Sequence, residues 1–317
     1  MHGLGGLTDA PIHHISSAMK PLQPIPQCVG CLKSLAKDLV RLAASENPDF
    51  AEKAEHITHD ILKDAGNTAS SSPEIANRIV REIRRITGIH DPYENFKMRE
   101  MAQALEIVTH LKHHVAESLR SRAILAALGN SLDFFKNPAE ALDDVTGLFH
   151  NGFSFYFDHI DQLQAHMSKR PEIVIYLTDN AGEIFFDIPL YDYLKKNCGR
   201  IYLVVKGGPS LNDLTRTELR SQNLMDRFDR VADTGTDGAG IDWDHVSSEF
   251  LDLLYAADLV VSKGMANFES LYPRCLSGPS FYLFKVKCEP IQNYIQAPAG
   301  SFLALWKEAN SSANHRQ

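Results

Sequence analysis

Polar side chains that could bind a metal ion and a phosphate follow each of four short apolar runs in this chain of 317 residues. The runs cover residues 173–177, 201–205, 230–232 (the weakest) and 259–261. The polar segment after the first run contains Asp179, Asn180 and Glu183, and the segment after the second run contains Asp213. Asp237 follows the third run, and Lys263 and Asn267 follow the fourth. In a parallel sheet the carboxyl ends of the strands share one edge, where ligands bind. We therefore expect these side chains to converge on one metal- and phosphate-binding cleft.

Asp179 and Asn180 are the first candidate metal ligands. A hard divalent cation prefers oxygen ligands, and an aspartate beside an asparagine offers two of them with a single negative charge. Asp213, in the next polar segment, could supply a third and leave positions for water and a phosphate oxygen. The alternative is that Asp179 only caps the following helix, which is common for aspartate. The recurrence of polar segments after successive runs favours the metal site.

Lys263 is the first candidate phosphate ligand. A lysine at a strand end beside a glycine can place its ammonium group against a phosphate that backbone N–H groups also approach. The alternative is an ordinary solvated lysine. Asp237, in the glycine-rich segment 237–240, is a weaker candidate, and an ordinary turn explains that segment equally well. The chain lacks the glycine spacing of dinucleotide-binding and P-loop proteins.

The surrounding pattern indicates two kinds of architecture. From about residue 171 onward, β-branched runs alternate with helical segments, which predicts a parallel α/β sheet, and residues 281–284 add a fifth strand. Thr215 and Glu218 form a capping box, so Asp213 should lie in a strand-to-helix loop. Residues 31–132 instead show apolar stripes at helical spacing. We predict an extended segment over 1–27, an all-helical domain over 28–150 and an α/β domain over 151–317.

The composition of the chain and the motifs that it lacks argue against several functions. Hydrophobic residues make up 44% of the chain and the net charge is −8, which disfavours a broad nucleic-acid surface. No stretch reaches the roughly 20 apolar residues of a membrane span, and the N-terminal segment does not resemble a secretory signal. Neither the HExxH pattern of zinc proteases nor the GxSxG pattern of serine hydrolases occurs.

Five cysteines, an odd number, suit a reduced cytoplasmic protein better than a disulfide scaffold. Cys28 and Cys31 form a lone CxxC motif. A zinc site would need further ligands, which only the distant Cys275 and Cys288 could provide, and a redox site would need a βαβ context. Inert thiols are the favoured interpretation.

Three segments of the chain resemble the metal-dependent damage-control phosphatases, a family formerly described only as a domain of unknown function and including a protein-glutamate methyltransferase-like branch. They are residues 179–183 (DNAGE), residues 206–215 with Lys206, Pro209, Asn212, Asp213 and Thr215, and residues 263–269 with Lys263, Gly264, Asn267, Phe268 and Glu269. The likeness continues at residues 91–93, 129–134 and 287–288. Together with the CxxC motif, it points to the stand-alone microbial branch and covers about residues 21–300.

The resemblance implies a helical domain beside a Rossmann-like three-layer α/β/α domain, with a divalent metal (manganese, magnesium, cobalt or nickel) in the cleft between them. It implies that Asp179, Asn180 and Asp213 bind this metal. The residues that it assigns to the substrate or its phosphate are Asn130, Glu183 and Lys263, with Asp133 and Asn267 as further candidates. The implied substrates are small phosphorylated metabolites, such as sugar phosphates or damaged cofactor phosphates.

We therefore expect hydrolysis of a phosphomonoester by a metal-activated water that Glu183 orients or deprotonates. Attack by Asp179 itself, which would give an aspartyl-phosphate, is the alternative route. Two other functions stay open: an S-adenosylmethionine-dependent carboxyl methyltransferase, and a non-catalytic module that binds a metal or metabolite. The sequence predicts neither the natural substrate nor the oligomeric state.

Overall fold

The computed structural model of the protein describes residues 26–44, 48–65, 70–111, 117–130, 147–148 and 153–309. The candidate substrate residue Asp133 and nearly all of the predicted extended N-terminal segment lie outside them. In the described part of the chain, no helix has both the length and the apolar character needed to span a membrane.

Five helices form the described N-terminal half: α1 (Pro26–Ala44), α2 (Pro48–Ala65), α3 (Ser72–Thr87), α4 (Glu94–Leu111) and α5 (Leu119–Gly129). The apolar stripe predicted for α3 comprises Ile75, Ile79, Ile83 and Ile86. The first three are buried and Ile86 is partly buried. The helix ends at Gly88, whose φ of 72° suits glycine and whose N–H donates to the Arg84 carbonyl. Helix α1 starts at Pro26, so the end of the predicted extended segment is helical.

Seven strands form one sheet: β1 (Phe157–Asp158), β2 (Ile173–Leu177), β3 (Arg200–Val205), β4 (Val231–Asp233), β5 (Leu259–Lys263), β6 (Ser280–Lys285) and β7 (Phe302–Lys307). Their order is β1-β7-β6-β5-β2-β3-β4. Only the β6–β7 pair is antiparallel among these strands. The connecting helices are α6 (Ile160–Met167), α7 (Ile184–Lys196), α8 (Arg216–Ser221), α9 (Ser248–Ala256), α10 (Met265–Leu271) and α11 (Glu289–Ile295).

The predicted α/β fold is confirmed, its sheet is mostly parallel, and all five predicted apolar runs are strands. The sequence reasoning missed β1 and β7. The first has only two residues, too few for a periodic pattern, and the second lies antiparallel to its neighbour β6, outside the βαβ repeat on which the prediction rested.

Both faces of the sheet are buried, as expected of parallel strands covered by helices. In β2, Val174 and Tyr176 belong to one buried cluster, and Ile175 and Leu177 belong to a second on the opposite face. The first cluster also contains buried side chains of α4 and α5, whereas α1 to α3 form a third cluster. Helices α4 and α5 therefore share a core with the sheet, and the domain boundary at residue 150 stays a prediction.

Candidate active site

The loops that follow β2 and β3 are joined by backbone hydrogen bonds. Asn180 and Asp213 form an antiparallel bridge, and the Leu214 N–H donates to the Asp179 carbonyl at 2.9 Å. These bonds form because β2 and β3 are neighbours in the sheet, so both loops leave the same edge. The structure thus brings together the three predicted metal ligands, Asp179, Asn180 and Asp213.

Asp179 is a buried carboxylate at the centre of this edge. Its Oδ2 accepts a hydrogen bond from Asn130 Nδ2 at 3.0 Å. Burial, together with the charges of Glu183 and Asp213, raises the pKa of Asp179 to about 8. Gly264 lies directly against the carboxylate, since a Cβ at that position would be only 2.0 Å from Oδ2. A glycine is therefore required beside Asp179.

Asp213 lies beside a buried lysine to which the sequence analysis gave no role. Lys206 Nζ is 3.6 Å from Asp213 Oδ2 and donates to the Gly240 carbonyl and to Asn267 Oδ1. Burial raises the pKa of Asp213, and the charge of Lys206 opposes this shift. The only signal for Lys206 in the sequence is its place in the segment that resembles the phosphatases.

Glu183 and Lys263 form a buried network behind the ligand residues. Glu183 Oε1 accepts from Asn130 Nδ2 and Asn180 Nδ2, each at 2.8 Å. Lys263 Nζ donates to Glu183 Oε2 at 2.8 Å and to Asp187 Oδ1 at 2.7 Å. The ammonium group of Lys263 thus faces two carboxylates, and its contact with a phosphate stays a prediction. Asp187 was missed, although it lies one helical turn after Glu183.

The remaining candidates Asn267 and Asp237 differ in their surroundings. Asn267 is fully buried and its Nδ2 donates to the carbonyls of Thr178 and Lys263, so it ties β5 to the loop after β2. Asp237 forms ion pairs with two arginines of α3, Arg81 at 2.8 Å and Arg84 at 2.7 Å. Substrate contacts of both residues stay predictions.

The donor set fits a hard divalent cation. Within the described ranges, no group of three or more His, Cys, Asp or Glu side chains is arranged to hold a metal ion. The proposed ligand set contains only two such residues, Asp179 and Asp213, and its third member is the amide of Asn180. Its nitrogen donates to Glu183, which leaves its oxygen as the atom for a cation. Asp179 and Asp213 have raised pKa values because they are buried, and Asp213 also raises that of Asp179. A divalent cation between them would offset this repulsion.

Lys287 is a further cation beside this edge. It is exposed, and its charge lowers the pKa of Asp179 by more than the charge of Lys263 does. It makes no hydrogen bond or ion pair with other described residues, so its ammonium group is available to a ligand. Lys287 belongs to the resembling segment 287–288, but no role was predicted for it.

The CxxC motif lies apart from these ligands, beside Cys288. All the thiols are free. Burial raises the pKa of Cys288, and the charges of Glu269, Cys28 and Cys31 raise it further. A raised pKa makes the Cys288 thiol less reactive at neutral pH. The inertness of Cys28 and Cys31 stays a prediction.

Comparison with known proteins adds the family. A sequence model described as the damage-control phosphatase ARMT1-like domain matches residues 25–303. An uncharacterized protein of Methanocaldococcus jannaschii is 29% identical over 294 residues, which cover 88% of this chain and 94% of that protein. A protein of Archaeoglobus fulgidus named damage-control phosphatase is 29% identical over 286 residues, covering 88% of this chain and 97% of the relative.

A solved structure shares the fold. It is the crystal structure of a DUF89 family protein from Pyrococcus horikoshii, with a TM-score of 0.81 at 25% identity. The match covers 89% of this chain and 98% of the crystallised chain. The arrangement of helices and strands in this chain is therefore that of the crystallised protein over most of the chain.

Proposed function

The chain belongs to the ARMT1-like damage-control phosphatase family, and we propose that it is a divalent-metal-dependent phosphatase of small phosphorylated metabolites. The family places it among phosphatases, as the name of the Archaeoglobus fulgidus relative also says. Metal dependence and the class of substrate are the proposed part. The observation that carries them is the joining of the loops after β2 and β3, which brings Asp179, Asn180 and Asp213 to one edge.

When bound by these three residues, a divalent cation supplies positive charge that offsets the charge of the phosphoryl group and lowers the pKa of a water molecule. The protein's own residues hold this arrangement. Asn130 fixes the carboxylate of Asp179, and its Oδ1 accepts from the Lys285 N–H at 3.0 Å. Lys287 is the exposed cation that would bind a phosphate oxygen and hold the substrate in place.

Glu183 and Lys263 act indirectly, through hydrogen bonds to the residues that hold the proposed metal ligands. Both Glu183 oxygens already accept hydrogen bonds, from Asn130, Asn180 and Lys263. We therefore assign Glu183 the role of orienting the two amides, in place of the expected proton transfer from water. Lys263 balances the charges of Glu183 and Asp187, which a buried carboxylate pair requires.

The substrate class in this proposal is sugar phosphates or damaged cofactor phosphates, and the candidate metals are manganese, magnesium, cobalt and nickel. Free thiols support a reducing, cytoplasmic setting as part of the same proposal.

The test is phosphate release by chelator-stripped protein from a panel of sugar and cofactor phosphates, with each metal added back separately. We expect turnover that needs a metal and that falls by at least about 100-fold in Asp179→Ala and in Asp213→Ala, because each variant removes a metal ligand. Lys287→Met should mainly raise KM, because it removes a substrate contact.

Asp229→Ala is the matched control, since within the described ranges this aspartate forms a single, exposed ion pair, with Lys195. The variant should keep wild-type turnover. Folded wild-type protein that releases no phosphate with any metal would overturn the proposal. Tight metabolite binding without turnover would then favour a binding module, and metal-independent binding of S-adenosylmethionine would favour the methyltransferase.

A further inference from the structure

Glu100 is a buried acid on α4 that contacts both ligand-carrying loops. It is 1% exposed. Its Oε1 accepts from the Gly182 N–H at 3.3 Å, and its Oε2 accepts from Asn212 Nδ2 at 3.2 Å. One carboxylate therefore joins the loop after β2 to the loop after β3. None of the sequence motifs includes this residue.

Both contacts lie next to the ligand residues. Gly182 is two residues after Asn180, and Asn212 directly precedes Asp213. The fit at Gly182 is close, since a Cβ there would be 2.6 Å from Glu100 Cγ. A shift of Glu100 would therefore move both loops.

Helix α4 holds the second loop at another point, one turn earlier. Lys97 Nζ is 2.6 Å from Glu218 and 2.6 Å from Asp91. Glu218 in turn accepts from the Thr215 N–H at 2.9 Å, just after Asp213. Two polar side chains of one helix, Lys97 and Glu100, thus fix the segment that carries Asp213 on either side.

We propose that Glu100 is a positioning residue that sets the separation of Asn180 and Asp213, and hence the affinity of the site for its metal. This inference rests on the proposed metal-dependent function. Residues that orient metal ligands without touching the metal commonly change metal affinity by about 10- to 100-fold when removed.

The test measures Mn²⁺ binding by titration calorimetry on chelator-stripped protein, with the unfolding of the metal-free protein recorded in parallel. Glu100→Ala should raise the Kd for Mn²⁺ about 10- to 100-fold. Glu100→Gln should stay within about threefold of wild type, because its oxygen accepts from Gly182 and a rotated Asn212 amide can accept from its nitrogen. Glu106→Ala, at an exposed position of the same helix, should leave the Kd unchanged.

Asn212→Ala removes the same contact from the loop side and replaces Glu100→Ala if that variant does not fold. The inference is overturned if the folded alanine variant binds Mn²⁺ within twofold of wild type, or if Glu100→Gln is impaired as much as Glu100→Ala. Wild-type protein that binds no Mn²⁺ would instead contradict the proposed function itself.

Discussion

The carboxylate of Asp179 is held by a combination of burial, amide donors and a neighbouring glycine. Gly264 has a φ of 80° and a ψ of 162°, a conformation almost restricted to glycine that costs another residue about 1–3 kcal/mol. It also lies where a Cβ would collide with Asp179. The backbone at the end of β5 thus shapes the proposed metal site without contributing a ligand.

Gly264→Ala should therefore lower the free energy of unfolding by at least about 2 kcal/mol more than Gly300→Ala. Gly300 is the matched control, because it has a similar φ of 87° but open space around its Cβ position. Chemical denaturation of both variants measures the difference. Equal losses would show that contact with Asp179 adds nothing to the backbone strain.

The charge state of Glu269 can be tested through the pH dependence of the protein's stability. Burial raises its pKa from 4.5 to about 7. Between these values the folded protein retains a proton that the unfolded chain has lost, so the free energy of unfolding falls as the pH rises through this window. Above pH 7 the destabilisation is fully present.

Glu269→Gln should accordingly stabilise the protein by about 2 kcal/mol at pH 8 and have little effect at pH 4. Urea unfolding at the two pH values measures this, with the exposed Glu249→Gln as control. A stabilisation of equal size at both pH values would mean that ionisation of Glu269 is not the cause.

The sequence was sufficient to identify most candidate site residues, but it did not predict which side chains they contact. The convergence of Asp179, Asn180 and Asp213 followed from the rule that parallel strands share a carboxyl edge. The pairing of Lys263 with Asp187 depends on how α7 packs against the end of β5, which no local pattern specifies. Glu100 was hidden for the same reason, since its spacing places it in an ordinary helix.

Among the elements, helix α4 connects the N-terminal helices to the site. Its apolar residues Met101 and Ala104 belong to the buried cluster on one face of the sheet. Its polar residues Lys97 and Glu100 contact the loops at the sheet edge. In sequence, α4 looks like an ordinary amphipathic helix. In the structure it buries the polar side chains of Lys97 and Glu100 as well as its apolar residues.

Lys97→Met should destabilise the protein by about 3–5 kcal/mol, because it leaves the buried Glu218 and the partly buried Asp91 without their cation. Lys195→Met, which breaks only an exposed ion pair, should cost no more than about 1 kcal/mol. Urea unfolding of the two variants compares them. A loss of 1 kcal/mol or less for Lys97→Met would contradict the anchoring role of α4.

For the molecule as a whole, the alternation of strands and helices was sufficient to predict the α/β fold. It was insufficient for the full sheet, because β7 returns antiparallel beside β6 and β1 joins it at the edge. These two strands extend the sheet on the side away from the ligand loops, which leave β2 and β3. The fold error therefore had little bearing on the site, and the division of the chain at residue 150 still requires a test.

The central claim is that a divalent cation binds between the loops after β2 and β3. Anomalous diffraction from crystals of the protein soaked in Mn²⁺ tests it most directly. The account predicts the strongest anomalous peak within coordination distance of Asp179, Asn180 and Asp213, at roughly 2.0–2.6 Å from their oxygen atoms. A strongest peak elsewhere, with no peak at these three residues, would contradict the account.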